Sequence, residues 1–395
     1  MVRVFTSVLR PVLFWLHLAA GLLTALIVII MSVTGVALTY QRQMQYWADT
    51  RHFRAEVTGA VRLPLDELIA RVQQQLPDGS GAITQVTMRQ DPSLPVALSV
   101  GQKTLYADPY NGHLHGEGTG QKMRAFFSAM VSWHRYLAMS GPSRSTGRSI
   151  TGAANLVFLF IVLSGLYLWW PRTLSWIQLR NIIWFRGGLR AKARDFNWHN
   201  VLGFWSAIPL ALVVYSGVVI SYPWASDGVY RLVGEAPPAR GTAAPTPPPT
   251  PPAPPALEVD GSHPSLDSLL ARALVREPQW NIATLRVPAT GSAPTVITLD
   301  RGDGGQPHLR ATVTLDSATG AEVSFADFAA QSTGRQLRSL LRFAHTGEAG
   351  GLAGQTVAGL VSAASVVLVY TGFALSWRRF RAWWTRRRRQ AESLL

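Results

Sequence analysis

Two histidines of this chain stand in the same frame. Trp15-Leu-His17-Leu-Ala-Ala-Gly21 opens one apolar stretch that closes with Thr34-Gly35, and Asp195-Phe-Asn-Trp-His199-Asn-Val-Leu-Gly203 opens another that closes with Ser216-Gly217. In each, the histidine precedes one glycine by four residues and the other by eighteen. On a helix the first spacing puts a small residue one turn along on the same face. A second pair, His134 in Ser132-Trp-His134-Arg-Tyr136 and His345 in Arg342-Phe-Ala-His345-Thr-Gly347, precedes the two remaining apolar stretches. An ionisable side chain in a membrane-spanning segment is costly and marks function by default. Neutral imidazoles that approach one iron from opposite sides, each donating its second ring N–H to an acceptor that fixes it, are the ligands of a low-spin b-type haem. Gly21 and Gly203 then remove bulk where a flat macrocycle would lie.

The plainer reading of any one of these residues is an interfacial histidine with a satisfied hydrogen bond, beside glycines that serve helix packing. Two pairs at matched depth favour ligation, His17 with His199 toward one face and His134 with His345 toward the other. Arg135, Arg144, Arg148 and Arg342 are candidates to pair with propionates at the second site, and Arg10 or Arg194 at the first. The recurring Ser/Thr-Gly pairs read as helix-packing sites rather than as a proton path. His52, His113, His115, His263 and His308 have no counterparts. His113 and His115 fall on one side of a strand and could bind a metal, but exposed strand histidines are the favoured reading. Cysteine is absent, which excludes a thiolate-held iron–sulfur cluster, a disulfide and a C-x-x-C-H attachment, so any haem is held without a covalent tether. There is no Ser-His-Asp arrangement, P-loop or dinucleotide fingerprint, because the glycine-rich runs lie in loops or membrane helices, outside a strand-turn-helix context.

The elements that must position these side chains follow from composition. Hydrophobic residues make up 48% of the chain and charged ones only 15%, the balance of a membrane protein. Four uncharged stretches, 11–41, 149–171, 196–226 and 349–377, are each long enough to cross the hydrocarbon core, which takes about 20 helical residues. The first is too long for a signal-peptide core and no small-residue cleavage site follows closely, so it reads as a retained signal anchor. The net charge of +15 is gathered before the first stretch (Arg3, Arg10), between the second and third (Arg172 to Arg194) and after the fourth (Arg378 to Arg389). By the positive-inside rule those regions are cytoplasmic, which predicts a multi-pass protein of the bacterial inner membrane with both termini inside. A sequence pI near 10.9 would also suit nucleic-acid binding, but a basic loop that ends at a membrane helix is a topology signal, and no nucleic-acid partner is expected.

The predicted order is a cytoplasmic N-terminus (1–10), a membrane helix (11–41), an exported α/β module (42–125), an interfacial His-bearing segment (126–148), a second helix (149–171), a basic loop (172–196), a third helix (197–223), a Pro-rich spacer (236–256), a second exported module (257–335), its His-bearing segment (336–350), a fourth helix (351–377) and a basic tail (378–395). In the first module Pro64-Leu-Asp-Glu-Leu-Ile-Ala-Arg71 starts an amphipathic helix, residues 83–88, 95–100 and 103–107 read as strands, and Asp108-Pro-Tyr-Asn-Gly112 as a turn. In the second, Ser265-Leu-Asp-Ser-Leu-Leu-Ala-Arg272 matches the helix start, 282–287, 295–299 and 309–315 read as strands, and Asp316-Ser-Ala-Thr-Gly320 matches the turn. Gly147, Gly152 and Gly165 share their gaps of five and thirteen with Gly354, Gly359 and Gly372. The chain is thus predicted to be two tandem copies of helix, exported module, His-bearing segment and helix, with a pseudo-twofold axis along the membrane normal.

The Leu-Asp-x-Leu-(Ile/Leu)-Ala-Arg helix starts, the two turns, His134-Arg135, Leu166-Tyr-Leu-Trp-Trp-Pro-Arg172, Trp198-His199 and His345-Thr-Gly347 together resemble the PepSY-associated transmembrane family. The resemblance covers nearly the whole chain except the Pro-rich spacer, which departs from the simplest family pattern. It implies an α-helical integral membrane protein with four transmembrane helices in two repeats and two small periplasmic α/β PepSY-like modules. Members of the family characterised as enzymes are similar to inner-membrane siderophore reductases of the ferrioxamine type, which carry two b haems and release iron in the periplasm. Carried over residue by residue, the implied axial ligands fall on His17, His199, His134 and His345, and the implied substrate is a ferric siderophore. Hard oxygen chelators hold Fe(III) far better than Fe(II), so one electron loosens the metal. With no flavin or nicotinamide site in the sequence, the donor must be external, a cytoplasmic reductant or quinol. Two other classes stand beside this one: a membrane-anchored binding or regulatory protein, and a cytochrome b subunit serving another partner.

Overall fold

The four uncharged stretches fold as helices, as their length and lack of charge require. In chain order the elements are α1 (Val2–Leu38), α2 (Gln41–Thr50), α3 (Leu65–Gln75), β1 (Ile83–Arg89), β2 (Val96–Val100), β3 (Lys103–Ala107), β4 (Leu114–Gly116), α4 (Gln121–Tyr136), α5 (Arg144–Trp169), α6 (Trp176–Ile183), α7 (Ala191–Ser221), α8 (Pro223–Leu232), α9 (Leu266–Arg276), β5 (Ile282–Arg286), β6 (Thr295–Asp300), β7 (Arg310–Leu315), β8 (Glu322–Ala326), α10 (Thr333–His345) and α11 (Gly351–Glu392). The computed structural model describes residues 2–53, 61–171, 175–239, 264–288 and 293–392, with side chains from Leu9 onward. Arg172, His263 and the Pro-rich spacer beyond Ala239 lie outside the described residues. The chain divides into a helix unit (Met1–Tyr40, Phe127–Val229, Ala344–Leu395) and a sheet unit (Gln41–Phe126, Tyr230–Phe343).

In the helix unit, α1, α5, α7 and α11 are each long and apolar enough to cross a membrane. Helix α1 packs on α5 and α11, and α7 packs on the same two, so the four close into a ring with α1 and α7 on one diagonal. Leu23 and Leu26 of α1 and Ile208 of α7 point outward and are exposed, which lipid tails, as apolar as leucine itself, accept at no cost. Helix α11 continues past Trp377, where the sequence predicts its end, to Glu392. The basic tail is therefore, through Glu392, an extension of the last helix, because arginines favour helix once propagation has begun.

The predicted interfacial helix over 126–148 is interrupted. Helix α4 stops at Tyr136, Leu137 and Ala138 take left-handed φ values of 52° and 58°, and α5 begins at Arg144. The reversal brings the end of α4 against the start of α5: a Cβ on Gly147 would overlap the Tyr136 carbonyl, and the Thr151 hydroxyl donates to the Arg135 carbonyl at 2.9 Å. In the second half Gly347 (φ 76°) makes the reversal, and Gly354 meets the Gly347 backbone in the same way. The leading glycines of both triplets thus permit backbone to lie on backbone beside each His-bearing helix.

The sheet unit corrects the prediction of two small modules. Its strands form one eight-stranded antiparallel sheet in the order β4-β3-β2-β1-β5-β6-β7-β8. Strands β1 and β5, which would each be the open edge of a separate module, pair with each other, with Thr87 opposite Thr284 and their hydroxyls 3.2 Å apart. Pairing satisfies two rows of backbone groups that an edge leaves open. The predicted strands are present within a residue or two. Strand β4 has only three residues and β8 exposes Val323, so neither carries the alternation that would announce it; the short helices α2 and α8 carry no clear sequence signal either, and α6 falls within the stretch predicted as a basic loop. Leu68 and Val72 of α3 and Leu269 and Ala273 of α9 cover one sheet face, packed on Val86, Leu98, Leu285, Ile297, Leu299 and Val313.

The Leu-Asp helix starts have a reciprocal role. Asp267 accepts from the backbone N–H of Leu65 at 2.6 Å, and Asp66 accepts from that of Leu266 at 2.9 Å. Each aspartate caps the other half's helix, satisfying an N–H that a helix start leaves without a partner. The motif arginines reach the turns of their own halves, Arg71 donating to the Asn111 carbonyl at 3.1 Å and Arg272 to that of Gly320 at 2.8 Å. Loss of one such cap costs about 1 kcal/mol, or about fivefold in local opening. We therefore expect Asp66→Ala to speed hydrogen exchange at the N-terminus of α9 rather than of α3, and Asp267→Ala to do the reverse. Fraying confined to the mutated residue's own helix, read by mass spectrometry on the full chain, would contradict the reciprocal arrangement.

Candidate functional site

Each of the four histidines occupies a seat made by a hydroxyl residue and the glycine after it on another helix. The Nδ1 of His17 on α1 is 2.9 Å from Ser164 Oγ on α5, and that of His199 on α7 is 3.0 Å from Thr371 Oγ1 on α11. At the other level, His134 Nδ1 lies 3.0 Å from Thr34 Oγ1 on α1. His345 Nδ1 lies 3.3 Å from Ser216 Oγ and 2.9 Å from the Val213 carbonyl, both on α7. The glycine makes room for the ring. A Cβ on Gly165 would stand 3.2 Å from His17 Cε1, on Gly372 3.5 Å from His199 Cε1, on Gly35 3.6 Å from His134 Cε1, and on Gly217 3.1 Å from His345 Cε1. All four hydroxyl residues are buried.

The Ser/Thr-Gly pairs, predicted as helix-packing sites, are therefore histidine seats. Ser164 and Thr371 had escaped notice as partners, although the hydroxyl before the last glycine of each triplet repeats in the sequence as plainly as the glycines do. Gly21 and Gly203 behave differently. A Cβ on Gly21 would meet nothing within 4 Å, and one on Gly203 only Leu368 at 3.9 Å, so neither glycine serves close helix packing.

The seats bring the histidines together in pairs. The His134 and His345 rings have centroids 6.2 Å apart and are inclined at 60°. His17 and His199 come from the two diagonal helices α1 and α7. Seventeen positions separate His17 from Thr34, and His199 from Ser216, so the two levels lie about 26 Å apart along the helices. Between them Leu210, Val214 and Val361 pack against Phe158, Leu159, Val162, Val213 and Leu368.

The arginines divide. Arg135 and Arg144 lie over the Tyr136 ring at 5.3 and 4.2 Å, and Arg148 is exposed on the first turns of α5. Arg342, in the sheet unit, lies over Phe343. At the His17 end, Arg10 donates to the Leu168 and Trp170 carbonyls at 2.6 and 3.0 Å, closing the C-terminus of α5, where a cation also suits the helix dipole. Arg194 donates to Asp195 at 3.0 Å and Arg378 donates to the same carboxylate at 2.5 Å. Asp195, four residues before His199, is fully buried and ties the start of α7 to the lower part of α11. Both arginines predicted for propionates at this end are thus engaged by protein. Trp169 Nε1, four residues beyond Gly165, is buried with no hydrogen-bond partner among the described residues, its ring stacked on Phe204. Of the unmatched histidines, His113 and His115 are exposed with rings 5.0 Å apart. No group of three potential ligands gathers around them or elsewhere among the described residues.

Four spanning helices around seated histidine pairs, with an antiparallel sheet unit, define a multi-pass membrane protein. The chain belongs to the family described as the PepSY-associated TM region, whose model matches residues 14–379. No curated protein matches it significantly.

Asp195 gives the site a direct test. Removing one partner of a fully buried pair costs roughly 3–5 kcal/mol; with Arg378 about a third exposed, we expect about 2 kcal/mol for Asp195→Ala. Thermal unfolding of the detergent-purified chain should show this loss, and Arg378→Ala added to it should cost much less than Arg378→Ala alone. Additive losses would mean that the two side chains do not hold α7 to α11.

Proposed function

We propose that the chain is a di-haem b reductase of the bacterial inner membrane that reduces a ferric siderophore on the periplasmic side and releases Fe(II), its halves being tandem copies with both termini cytoplasmic. The observation that carries the reading is the spacing of His134 and His345. Their ring centroids are 6.2 Å apart, so the two imidazoles together could hold one haem iron between them.

The other residues present fit the group. His17 and His199 would hold one haem and His134 and His345 the other, with Nδ1 of every ring turned to a hydroxyl or carbonyl oxygen on a neighbouring helix. The open side of Gly21 suits a flat macrocycle, and the buried Trp169 Nε1 is a donor of the right chemistry for a propionate at the His17 level. Arg135 and Arg148 remain the candidates at the other. When bound, the two haems would supply one-electron transfer at two depths of the bilayer. The core between the levels is lined mainly by aliphatic side chains. The hydroxyls there, on Thr24, Ser206 and Ser365, donate to carbonyls of their own helices, which favours an electron path over a proton path. The sheet unit would supply the surface on which the chelate docks, and a cytoplasmic or quinol donor the electron.

A reduced-minus-oxidised spectrum of the detergent-purified protein tests this. We expect two bis-histidine b haems, loss of one of the two in His199→Ala or His345→Ala, and reoxidation of the reduced protein by a ferric siderophore. Protein without haem absorbance, or spectra indifferent to these replacements, would overturn the proposal and favour a membrane-anchored binding protein. Haem that ferric siderophore does not reoxidise would instead favour a cytochrome b subunit of another partner.

A further inference from the structure

We infer that the four hydroxyl–glycine pairs Thr34-Gly35, Ser164-Gly165, Ser216-Gly217 and Thr371-Gly372 are tautomer locks. Each holds its histidine with the proton on Nδ1 and the lone pair on Nε2. The inference deepens the di-haem reading and rests on it.

The argument is one of proton counting. A hydroxyl has one proton to give, and here each gives it within its own helix. Thr34 donates to the Ile30 carbonyl at 2.6 Å, Ser164 to Ile161 at 3.2 Å, Ser216 to Val213 at 2.8 Å and Thr371 to Val367 at 2.8 Å. This is the ordinary back-bond of a helical serine or threonine. With that proton spent, the oxygen that faces the imidazole accepts, so Nδ1 must carry a hydrogen. At His345 the same conclusion comes independently, because the Val213 carbonyl 2.9 Å from Nδ1 can only accept. In a neutral imidazole a proton on Nδ1 leaves the lone pair on Nε2, the nitrogen a metal then binds. The glycine completes the lock by letting the Cε1 edge of the ring close on the helix, which fixes the ring plane as well as the tautomer.

Thr34, Ser164, Ser216 and Thr371 are thus positioning residues, acting through the imidazoles. An acceptor at the outer N–H raises the basicity of a ligating histidine and typically improves metal retention about 10- to 100-fold.

The test uses the full chain in detergent, with haem retention, the midpoint potentials of the two haems and their electron paramagnetic resonance spectra as readouts. Thr371→Val keeps the branched shape and removes the acceptor. It should weaken retention at the His17/His199 site about 10-fold or more, raise that haem's midpoint potential and leave the other haem unmoved. Thr371→Ser should restore the wild-type values. If Thr371→Val does not fold, Ser164→Ala makes the same measurement through His17. Equal effects of Thr371→Val and Thr371→Ser would overturn the inference. Should His199→Ala remove one haem while the Thr371 and Ser164 variants leave potentials and spectra unchanged, only the locks fail. Should His199→Ala leave both haems, the di-haem reading itself fails.

Discussion

An imidazole inside a helix bundle has an N–H that no water reaches, and an unsatisfied donor there costs more than the ring's packing returns. The arrangement of the bundle depends on how that donor is met. In every case a hydroxyl on an adjacent segment, buried and back-bonded to its own helix, faces the ring, joined at His345 by the Val213 carbonyl. Because the acceptor cannot come from the histidine's own helix, the pairing of segments is set at the same stroke. His17 requires α5 beside α1, His199 requires α11 beside α7, and His134 and His345 require their segments to fold back on α1 and α7. The closed ring of four helices satisfies all four demands together.

Space matters as much as donors. Glycine after each hydroxyl lets a ring close on the helix, and glycine at 147 and 354 lets backbone lie on backbone where the chain reverses beside each His-bearing helix. In the first half the reversal is made by Leu137 and Ala138, residues that rarely adopt left-handed backbone; in the second, glycine makes it. The two solutions reach the same end, a histidine held at the terminus of a short helix and directed at a long one.

The sheet unit follows a similar logic of mutual completion. Strands β1 and β5 are each other's missing neighbour, and Asp66 and Asp267 each cap the other half's helix. Such self-complementary contacts are typical of twofold dimer interfaces, here formed within one chain. A single module would leave an edge open, whereas the joined sheet has α3 and α9 side by side over one continuous core.

Much of this was legible in the amino-acid sequence. Long uncharged stretches must become helices, alternation at 96–100 and 295–300 must become strands, and the matched frames of His17 and His199 mark the two residues as equivalent, because periodicity and charge act locally along a chain. What faces what was decided only in the folded protein. The sequence presents Ser164-Gly165 and Thr371-Gly372 as small residues suited to helix packing, and nothing in their spacing says that a ring from another helix will lie on them. Nor does a Leu-Asp helix start reveal that its carboxylate serves a helix 200 positions away, or a β-strand that its partner belongs to the other half. Hydrogen-bond direction and the choice of partner are properties of distance in space. Local pattern therefore determined the elements and singled out the histidines, while the tertiary structure decided their pairing, their seats and the nitrogen each presents.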